Sequence, residues 1–284
     1  MPHNRFPKST MKETSMGNGV WKDHRLALHK AMLLAGCSLA VASAFGAEPT
    51  STLTRVEQSG VLKVCTTGDY RPFTYLQPDG SYVGIDIDQA NLLAKALGAK
   101  AEFVKTTWPT LMKDFTAGKC DIAMGGISVT LARQKVAGYS VHYMVDGKTP
   151  ITRCADVTKY ETLGQIDQPD VRVIVNPGGT NFKFAEEHLR NAKITVYPDN
   201  NTIFQQIVDG KADVMVTDAI ETRLQHKLHP ELCAVHPDKP FTYGEKAYLI
   251  PQNDLPFQNF VDQWLKLELR SGEFQKVLDR WVGP

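Results

Sequence analysis

Short apolar strands and amphipathic helical runs alternate along the chain from residue 61. The strand-like runs "VLKVCTT" (61–67), "KAEFVKT" (100–106) and "CDIAMGG" (120–126) are separated by helical runs such as "DIDQANLLAKALGA" (86–99). This alternation is typical of βα units, in which successive strands lie parallel in one sheet. The sequence therefore predicts an α/β fold with mixed, mainly parallel sheets.

A short sequence pattern that occurs twice predicts two lobes of similar construction. Residues 115–124, "FTAGKCDIAM", match residues 207–216, "IVDGKADVMV". In each copy a glycine can end a helix in the left-handed conformation and an aspartate opens a buried strand. The glycines are Gly118 and Gly210, and the aspartates are Asp121 and Asp213. The alternative is a common helix-to-strand connection without duplication.

The chain would cross twice between these lobes, at 144–153 and at 236–248. We therefore assign residues 48–146 and 240–284 to lobe 1, on which the closing helical run packs, and residues 147–239 to lobe 2. Two lobes with two crossings leave a cleft for a small ligand.

The first 47 residues resemble an export leader. An apolar run, "AMLLAGCSLAVASAFGA" (31–47), follows a polar stretch with basic residues and is short for a membrane span. Small residues at Ala42, Ala44 and Ala47 offer cleavage sites. The alternative to a cleaved leader is a lipid anchor at Cys37, because "LAGC" (34–37) has the Leu-small-small-Cys form of bacterial lipoproteins. Either way, the mature chain would carry no integral membrane segment.

The charge and the cysteines limit the function further. The formal net charge is +1 and no basic stripe is interleaved with aromatic residues, which argues against nucleic-acid binding. Export favours disulfides, and we pair Cys154 with Cys233 because both lie beside the second lobe. For Cys65 and Cys120 the sequence favours two buried, unpaired thiols.

Polar residues that follow predicted strands are candidates for ligand contacts. In "PGGTN" the backbone N–H groups of Gly179, Thr180 and Asn181 stand at a helix start, which is a ready anion site. After the first strand, Asp69 could contact a ligand, and the rings of Tyr70 and Phe73 could line the pocket. An equally good explanation is a turn whose aromatic residues belong to the core.

Further candidates come from both lobes. "GGISVTLARQK" (125–135) places Gly126 and Ser128 after a strand, together with Arg133, which could hold a carboxylate or be a surface charge. Asp218 could meet an ammonium group, transfer a proton or cap the next helix. Trp108 is most simply explained by packing, and Lys148 at the hinge could point into the cleft or into solvent.

Several common sites are absent from the sequence. The chain has no Cys-x-x-Cys, His-Glu-x-x-His, phosphate-loop or Gly-x-Ser-x-Gly motif. His226, His229 and His236 lie in a stretch that two prolines interrupt, which indicates a surface loop rather than a metal site.

Taken together, these motifs resemble a known family. "GDYRPFTY", "GGISVTLARQK", "PGGTN" and "VTDAIE" resemble the polar-amino-acid (family 3) periplasmic solute-binding proteins over residues 55–283. The longer strings "DGKTPITRC", "QIDQPDVRVIVNPGGTN" and "NNTIFQQIVDGKAD" resemble the cyclohexadienyl dehydratases, which are enzymes on that fold. The resemblance implies a periplasmic protein with a two-lobed, type II binding-protein fold. It also implies that the protein is a carbon–oxygen lyase that needs no cofactor.

The reaction so implied removes water and carbon dioxide from prephenate or arogenate to give phenylpyruvate or phenylalanine. Arg133 matches the family's carboxylate-binding arginine, assisted by Ser128 and the N–H groups near Thr180 and Asn181, and Asp218 matches the residue that meets the amine in amino-acid binders. The expected substrate-binding set is Asp69, Tyr70, Phe73, Trp108, Gly126, Ser128, Arg133, Gly179, Thr180, Asn181 and Asp218.

The same resemblance places a general-acid glutamate at position 182, where this chain has Phe182. Two hypotheses follow. In the first, the chain is a dehydratase in which Lys148 or Asp218 supplies the proton. In the second, it is a non-enzymatic amino-acid-binding protein that works with a transporter permease.

Overall fold

The computed structural model describes residues 50–283. The predicted leader at residues 1–47, with its cleavage sites and Cys37, lies outside them. The strands are β1 (Val61–Thr66), β2 (Asp69–Tyr70), β3 (Thr74–Leu76), β4 (Tyr82–Val83), β5 (Lys100–Lys105), β6 (Ile122–Ala123), β7 (Gly138–Tyr139), β8 (Met144–Asp146), β9 (Lys148–Arg153), β10 (Arg172–Val175), β11 (Lys193–Val196), β12 (Val214–Asp218), β13 (Leu232–Ala234), β14 (Gly244–Lys246) and β15 (Leu249–Ile250). The helices are α1 (Thr52–Ser59), α2 (Ile85–Ala96), α3 (Leu111–Thr116), α4 (Leu131–Gln134), α5 (Leu163–Ile166), α6 (Gly179–His188), α7 (Ile203–Val208), α8 (Ala219–Leu228), α9 (Leu255–Ser271) and α10 (Glu273–Val282), with a 3-10 helix over Cys154–Lys159.

Two five-stranded sheets form the centres of two lobes, as predicted. The first sheet has the strand order β5-β1-β6-β15-β7, and the second has the order β11-β10-β12-β9-β13. Separate hydrophobic cores pack around the two sheets. Val64, Leu93 and Ile122 belong to the core of lobe 1, while Val173 and Val214 belong to that of lobe 2.

Each sheet is mixed, with a smaller parallel share than the sequence suggested. Strand β1 pairs in parallel with β5 and β6, and β10 pairs in parallel with β11 and β12. The strands that carry the chain between the lobes, β9 and β15, instead pair antiparallel with β12 and β6. Parallel neighbours need a crossover connection, and a strand that enters its sheet directly from the other lobe has none.

The two crossings lie side by side as a two-stranded ribbon between the lobes. Strand β8 pairs antiparallel with β14, so that Met144 faces Lys246. Ser128 forms an isolated antiparallel bridge with the same lysine. The ribbon therefore brings Lys246 to the base of the cleft.

The repeated Gly-Lys-x-Asp motif forms equivalent connections in both lobes. Gly118 and Gly210 follow α3 and α7 with φ of 71° and 69°, the left-handed conformation predicted for them. Asp121 then accepts a hydrogen bond from the backbone N–H of Lys63 on β1 at 2.8 Å. Asp213 accepts one from Arg172 on β10 at 2.9 Å. The aspartate thus ties each incoming strand to its neighbour.

The closing helices α9 and α10 pack on the sheet of lobe 1. Phe257, Val261 and Leu265 on α9 and Phe274 and Val277 on α10 are buried in the core of that lobe. Among the described residues no helix combines the length and hydrophobicity needed to cross a membrane.

Each lobe contains one disulfide. Cys154 is joined to Cys233, which places the bond between the start of the 3-10 helix and β13. Cys65 is joined to Cys120, so the expectation of two unpaired thiols is wrong. Strands β1 and β6 lie next to each other in the sheet and bring the two sulfur atoms together, which spacing along the chain did not reveal. His226 lies beside Cys154 and Cys233, whose sulfur atoms are committed to the disulfide.

Candidate functional site

The lobes face each other across a cleft that holds two adjoining cavities. We call them the inner and the outer cavity. The inner cavity is lined by Tyr70, Trp108, Gly126, Ser128, Asn176, Gly179, Thr180, Asn181, Asn200 and Asp218. The outer cavity shares Ser128, Thr180 and Asp218 with it and adds Lys148 and Lys246. Eight of the predicted contact residues thus meet in one place, because they all lie at or just after the ends of strands that reach the cleft.

A lysine–aspartate–lysine cluster lies where the cavities meet. Lys148 Nζ is 2.7 Å from Asp218 Oδ1, and Lys246 Nζ is 2.6 Å from Asp218 Oδ2. Lys148 comes from β9 and Asp218 from the end of the adjacent strand β12, which are directly opposite each other in the sheet. All three side chains are buried. Asp218 occupies the N-cap position of α8 but makes no capping hydrogen bond, because its carboxylate is turned toward the lysines.

The charges of this cluster are strongly coupled. Burial alone would raise the pKa of Asp218, but the ammonium groups of Lys148 and Lys246 outweigh it and hold that pKa far below its usual range. Burial lowers the pKa of Lys148, and the neighbouring Asp218 opposes that shift. The lowered pKa keeps Asp218 ionised at neutral pH, and its role in proton transfer stays a prediction.

A buried acid lies one turn further along α8. Glu221 is 1% exposed and accepts a hydrogen bond from the Thr217 hydroxyl. Burial raises the pKa of Glu221 to about 8, and the nearby negative charge of Asp218 adds to this effect. The Thr217 hydroxyl in turn accepts from Asn181 Nδ2 at 2.8 Å. Glu221 is thus protonated at neutral pH and connected through two side chains to the inner cavity.

The start of α6 closes the second-lobe side of the cavity. Lys148 Nζ donates to Thr180 Oγ1 at 3.0 Å and to Asn181 Oδ1, which holds both side chains in place. Gly178, with φ of 68°, precedes the helix, and a Cβ there would lie 2.9 Å from the backbone nitrogen of Pro109. The glycine therefore lets the two lobes approach each other at this point.

Aromatic side chains form the first-lobe wall. Tyr70 and Trp108 line the inner cavity and meet edge to face, with ring centroids 5.6 Å apart. Phe73 is fully buried behind Tyr70 and is a core residue rather than a contact. A Cβ at Gly126 would lie 2.4 Å from the Phe73 ring, so only glycine fits against this wall. Tyr70 OH also donates to Asp218 Oδ2, which links the wall to the charged cluster.

Asp69 and Arg133 lie beside the cavities rather than in their linings. Arg133 Nη1 donates to the backbone carbonyl of Ser128 at 2.8 Å. Asp69 presents its backbone carbonyl to Asn200 Nδ2 at 2.8 Å, a contact between the lobes. The predicted carboxylate contact of Arg133 stays a prediction.

Phe182 does not face the ligand site. Its half-buried side chain packs against the core of lobe 2 and is absent from the linings of both cavities. Glu221 is a buried acid beside the charged cluster. The site therefore has an acid beside it although position 182 carries no carboxylate.

The sequence analysis missed Lys246, Glu221, Asn176 and Asn200. Glu221 follows Asp218 by three residues at a helix start, and this spacing places both on one helix face. Lys246 precedes the buried run Ala247–Ile250, where a charged residue is unusual without a partner. These two signals were available in the sequence, whereas the asparagines sit in polar loops with no such signal.

The chain is similar to known proteins over nearly all of the described residues. Residues 62–284 match the family described as bacterial extracellular solute-binding proteins, family 3. The cyclohexadienyl dehydratase of Pseudomonas aeruginosa is 55% identical over 246 residues, which cover 87% of this chain and 91% of that protein.

Two solved structures of ancestral proteins also resemble the chain. An ancestral cyclohexadienyl dehydratase is 53% identical, with a TM-score of 0.54 over 84% of this chain and 98% of the other. An ancestral amino-acid-binding protein, described as a precursor of cyclohexadienyl dehydratase, is 36% identical, with a TM-score of 0.76 over 82% of this chain and 100% of the other. Of these two proteins, the ancestral dehydratase has the higher sequence identity to this chain, and the ancestral binding protein has the higher TM-score.

Proposed function

This chain belongs to the bacterial extracellular solute-binding proteins of family 3, and within that family we propose that it is a cyclohexadienyl dehydratase. It would convert prephenate to phenylpyruvate, and arogenate to phenylalanine, by loss of water and carbon dioxide. The observation that carries the proposal is Glu221, an acid buried beside the cluster of Lys148, Asp218 and Lys246 and linked to the inner cavity through Thr217 and Asn181.

The reaction consumes one proton. Prephenate, a dianion, and a proton give the phenylpyruvate anion, carbon dioxide and water. The carbon–carbon bond to the ring carboxylate breaks, its electrons complete the aromatic ring, and the ring hydroxyl departs as water once it is protonated. The site must therefore hold carboxylates, supply a proton to the hydroxyl and exclude bulk water.

Glu221 is the best proton source beside the cleft, connected to the inner cavity through Thr217 and Asn181. Its Oε2 accepts from Thr217, so its proton is carried on Oε1. Its pKa of about 8 keeps it protonated at neutral pH, yet it is not so high that the proton is held too tightly for transfer. Lys148, the other predicted donor, is engaged by Asp218, Thr180 and Asn181 and is better suited to binding.

The rest of the site suits a substrate with carboxylates. Lys148 and Lys246 offer two buried ammonium groups, both paired with Asp218. The backbone N–H groups at the start of α6 add a partial positive charge. Tyr70 and Trp108 give ring faces for a six-membered carbocycle.

The binder alternative has one observation in its favour. The arrangement of the chain is more similar to that of an ancestral amino-acid-binding protein than to that of the ancestral dehydratase. As a binder the chain would deliver an amino acid to a membrane permease. In either role we propose a periplasmic protein, exported by the leader at residues 1–47 or anchored at Cys37.

Steady-state assays of the purified protein with prephenate and with arogenate test the proposal. We expect turnover, a loss of at least ~100-fold in kcat for Glu221→Gln because the general acid is gone, and little change for Phe182→Glu. Glu231→Gln, which changes an exposed acid that lines neither cavity, is the matched control. If neither substrate is turned over while amino acids bind tightly, the protein is a binder.

A further inference from the structure

A third cavity lies between the lobes, apart from the inner and the outer cavity. Its volume is about 320 Å³, and none of its lining residues lines either of the other two. Helix α8 of lobe 2 supplies one wall, and lobe 1 supplies the rest. The apolar and aromatic side chains of the lining are those of Pro72, Tyr75, Val83, Leu224, Leu228 and Trp281. A largely apolar cavity of this size at the boundary between two lobes is typical of a small-molecule site.

Among the described residues that line the third cavity, Arg71 alone is charged. Its guanidinium lies over the ring of Tyr75, with the central carbon 3.5 Å from the ring centroid. This stacking holds the plane of the guanidinium and leaves the N–H groups at its edge. Within residues 50–283 those N–H groups have no hydrogen-bond or ion-pair partner. A stacked arginine with free N–H groups is arranged to receive a carboxylate through two parallel hydrogen bonds.

The other polar side chains of this lining already have partners. Gln77 Nε2 donates to a serine hydroxyl of the same turn at 3.0 Å. Trp281 Nε1 donates to Asp88 Oδ2 at 2.9 Å, and the same oxygen pairs with Arg280 Nη1 at 2.9 Å. The acid beside Trp281 is therefore paired with a cation of its own, and Arg71 keeps a positive charge for a ligand.

The wall from α8 adds no acid to the cavity. Leu224 and Leu228 face it, and Leu228 is 45% exposed. The charged residues of α8 beside these leucines are basic: Arg223 pairs with Asp238, and Lys227 donates to the backbone carbonyl of Val282. A ligand with one negative charge and an apolar body thus matches both the charge and the lining of this cavity.

We propose that the third cavity is a second ligand site, which binds a small aromatic carboxylate with its carboxylate on Arg71 and its ring against Leu224, Leu228 and Trp281. Such a ligand would contact both lobes, because the two leucines belong to lobe 2 and the other two residues to lobe 1. The proposal does not use the reaction proposed for the cleft, so the presence or absence of turnover does not affect it.

Calorimetry at pH 7 with the purified protein and phenylacetate tests the proposal. We expect a Kd on the order of 1 mM or tighter for a ligand of this size. Two further probes separate the charge from the ring. Phenylacetamide has the same shape without the charge, and acetate has the charge without the ring. Each should bind at least ~10-fold more weakly than phenylacetate, because each lacks one of the two contacts.

Substitutions in the two walls locate the bound phenylacetate. Arg71→Met should weaken binding at least ~10-fold, because it removes the guanidinium. Arg270→Met changes an exposed arginine that lines none of the three cavities, and it should leave Kd within about twofold. Leu228→Glu places a carboxylate on the opposite wall and should also weaken binding at least ~10-fold. Leu228→Gln has the same size without the charge and should bind more tightly than Leu228→Glu.

Thermal unfolding of each variant shows whether it is folded, and if Arg71→Met is not, the two Leu228 variants decide. An unchanged Kd in both Arg71→Met and Leu228→Glu would place phenylacetate elsewhere, such as in the cleft, and overturn the proposal. Equal binding of phenylacetamide, or no binding of phenylacetate by the unmodified protein, would also overturn it.

Discussion

Lys246 Nζ lies 2.6 Å from Asp218 Oδ2, so a residue of the ribbon between the lobes is paired with a carboxylate of lobe 2. The same Nζ reaches Tyr70 and Ser128 on lobe 1. One buried ammonium group thus connects the hinge and both walls of the cleft. Changes to this pair should affect both the stability and the ligand binding of the protein.

Asp218→Asn should destabilise the protein strongly. The substitution leaves Lys148 and Lys246 buried without a negative partner, and breaking a buried pair in this way costs about 3–5 kcal/mol. Urea denaturation measures the change in the free energy of unfolding. Asp238→Asn is the control, since that aspartate pairs with Arg223 at the exposed surface, and its midpoint should not move. An equal effect of both substitutions would contradict the buried cluster.

The rate of turnover should fall above pH ~8. The reaction needs Glu221 in its protonated form, and the raised pKa of about 8 means that this form is present below pH 8 and lost as the pH rises through it. A profile of kcat against pH should be flat from about pH 6 to 7 and fall tenfold per unit above the pKa. The remaining rate of Glu221→Gln should lack this decline. A decline that persists in the variant would assign it to another group.

Gly178→Ala should impair ligand binding because it disturbs lobe closure. The residue has φ of 68° and ψ of −171°, a conformation essentially restricted to glycine that costs other residues about 1–3 kcal/mol. The new Cβ would also lie 2.9 Å from the Pro109 nitrogen on the opposite lobe. We expect kcat/KM to fall by about tenfold or more. Gly164→Ala is the matched control, since a Cβ there meets nothing within 4 Å. Equal kinetics for the two variants would show that this contact does not matter.

Loss of the Cys65–Cys120 disulfide should lower the stability of lobe 1. The cysteines are 55 residues apart, and closing a loop of that length in the unfolded chain corresponds to about 4 kcal/mol. The double variant Cys65→Ser/Cys120→Ser should therefore unfold at a lower urea concentration than the oxidised protein. If reductant shifts the unmodified protein and the double variant equally, the shift comes from Cys154–Cys233 alone.

Local patterns in the sequence predicted most of the fold. The alternation of strands and helices gave the α/β class, and the repeated Gly-Lys-x-Asp motif predicted two similar lobes, because left-handed glycines and strand-opening aspartates act within a few residues of the chain. The motifs after the strands placed Tyr70, Ser128 and Asp218 at a cleft, since strand ends collect there. These features depend on short-range physics that the residues themselves carry.

Only the tertiary structure decided which of these residues act together. Lys246 meets Asp218 because the two crossings pair as a ribbon, and Cys65 meets Cys120 because β1 and β6 are neighbours in the sheet. The orientation of Phe182 into the lobe 2 core and the burial of Glu221 likewise depend on how helices pack on the sheet. Burial and charge pairing set the protonation of Asp218 and Glu221 in opposite directions, and both depend on contacts between residues far apart in the chain.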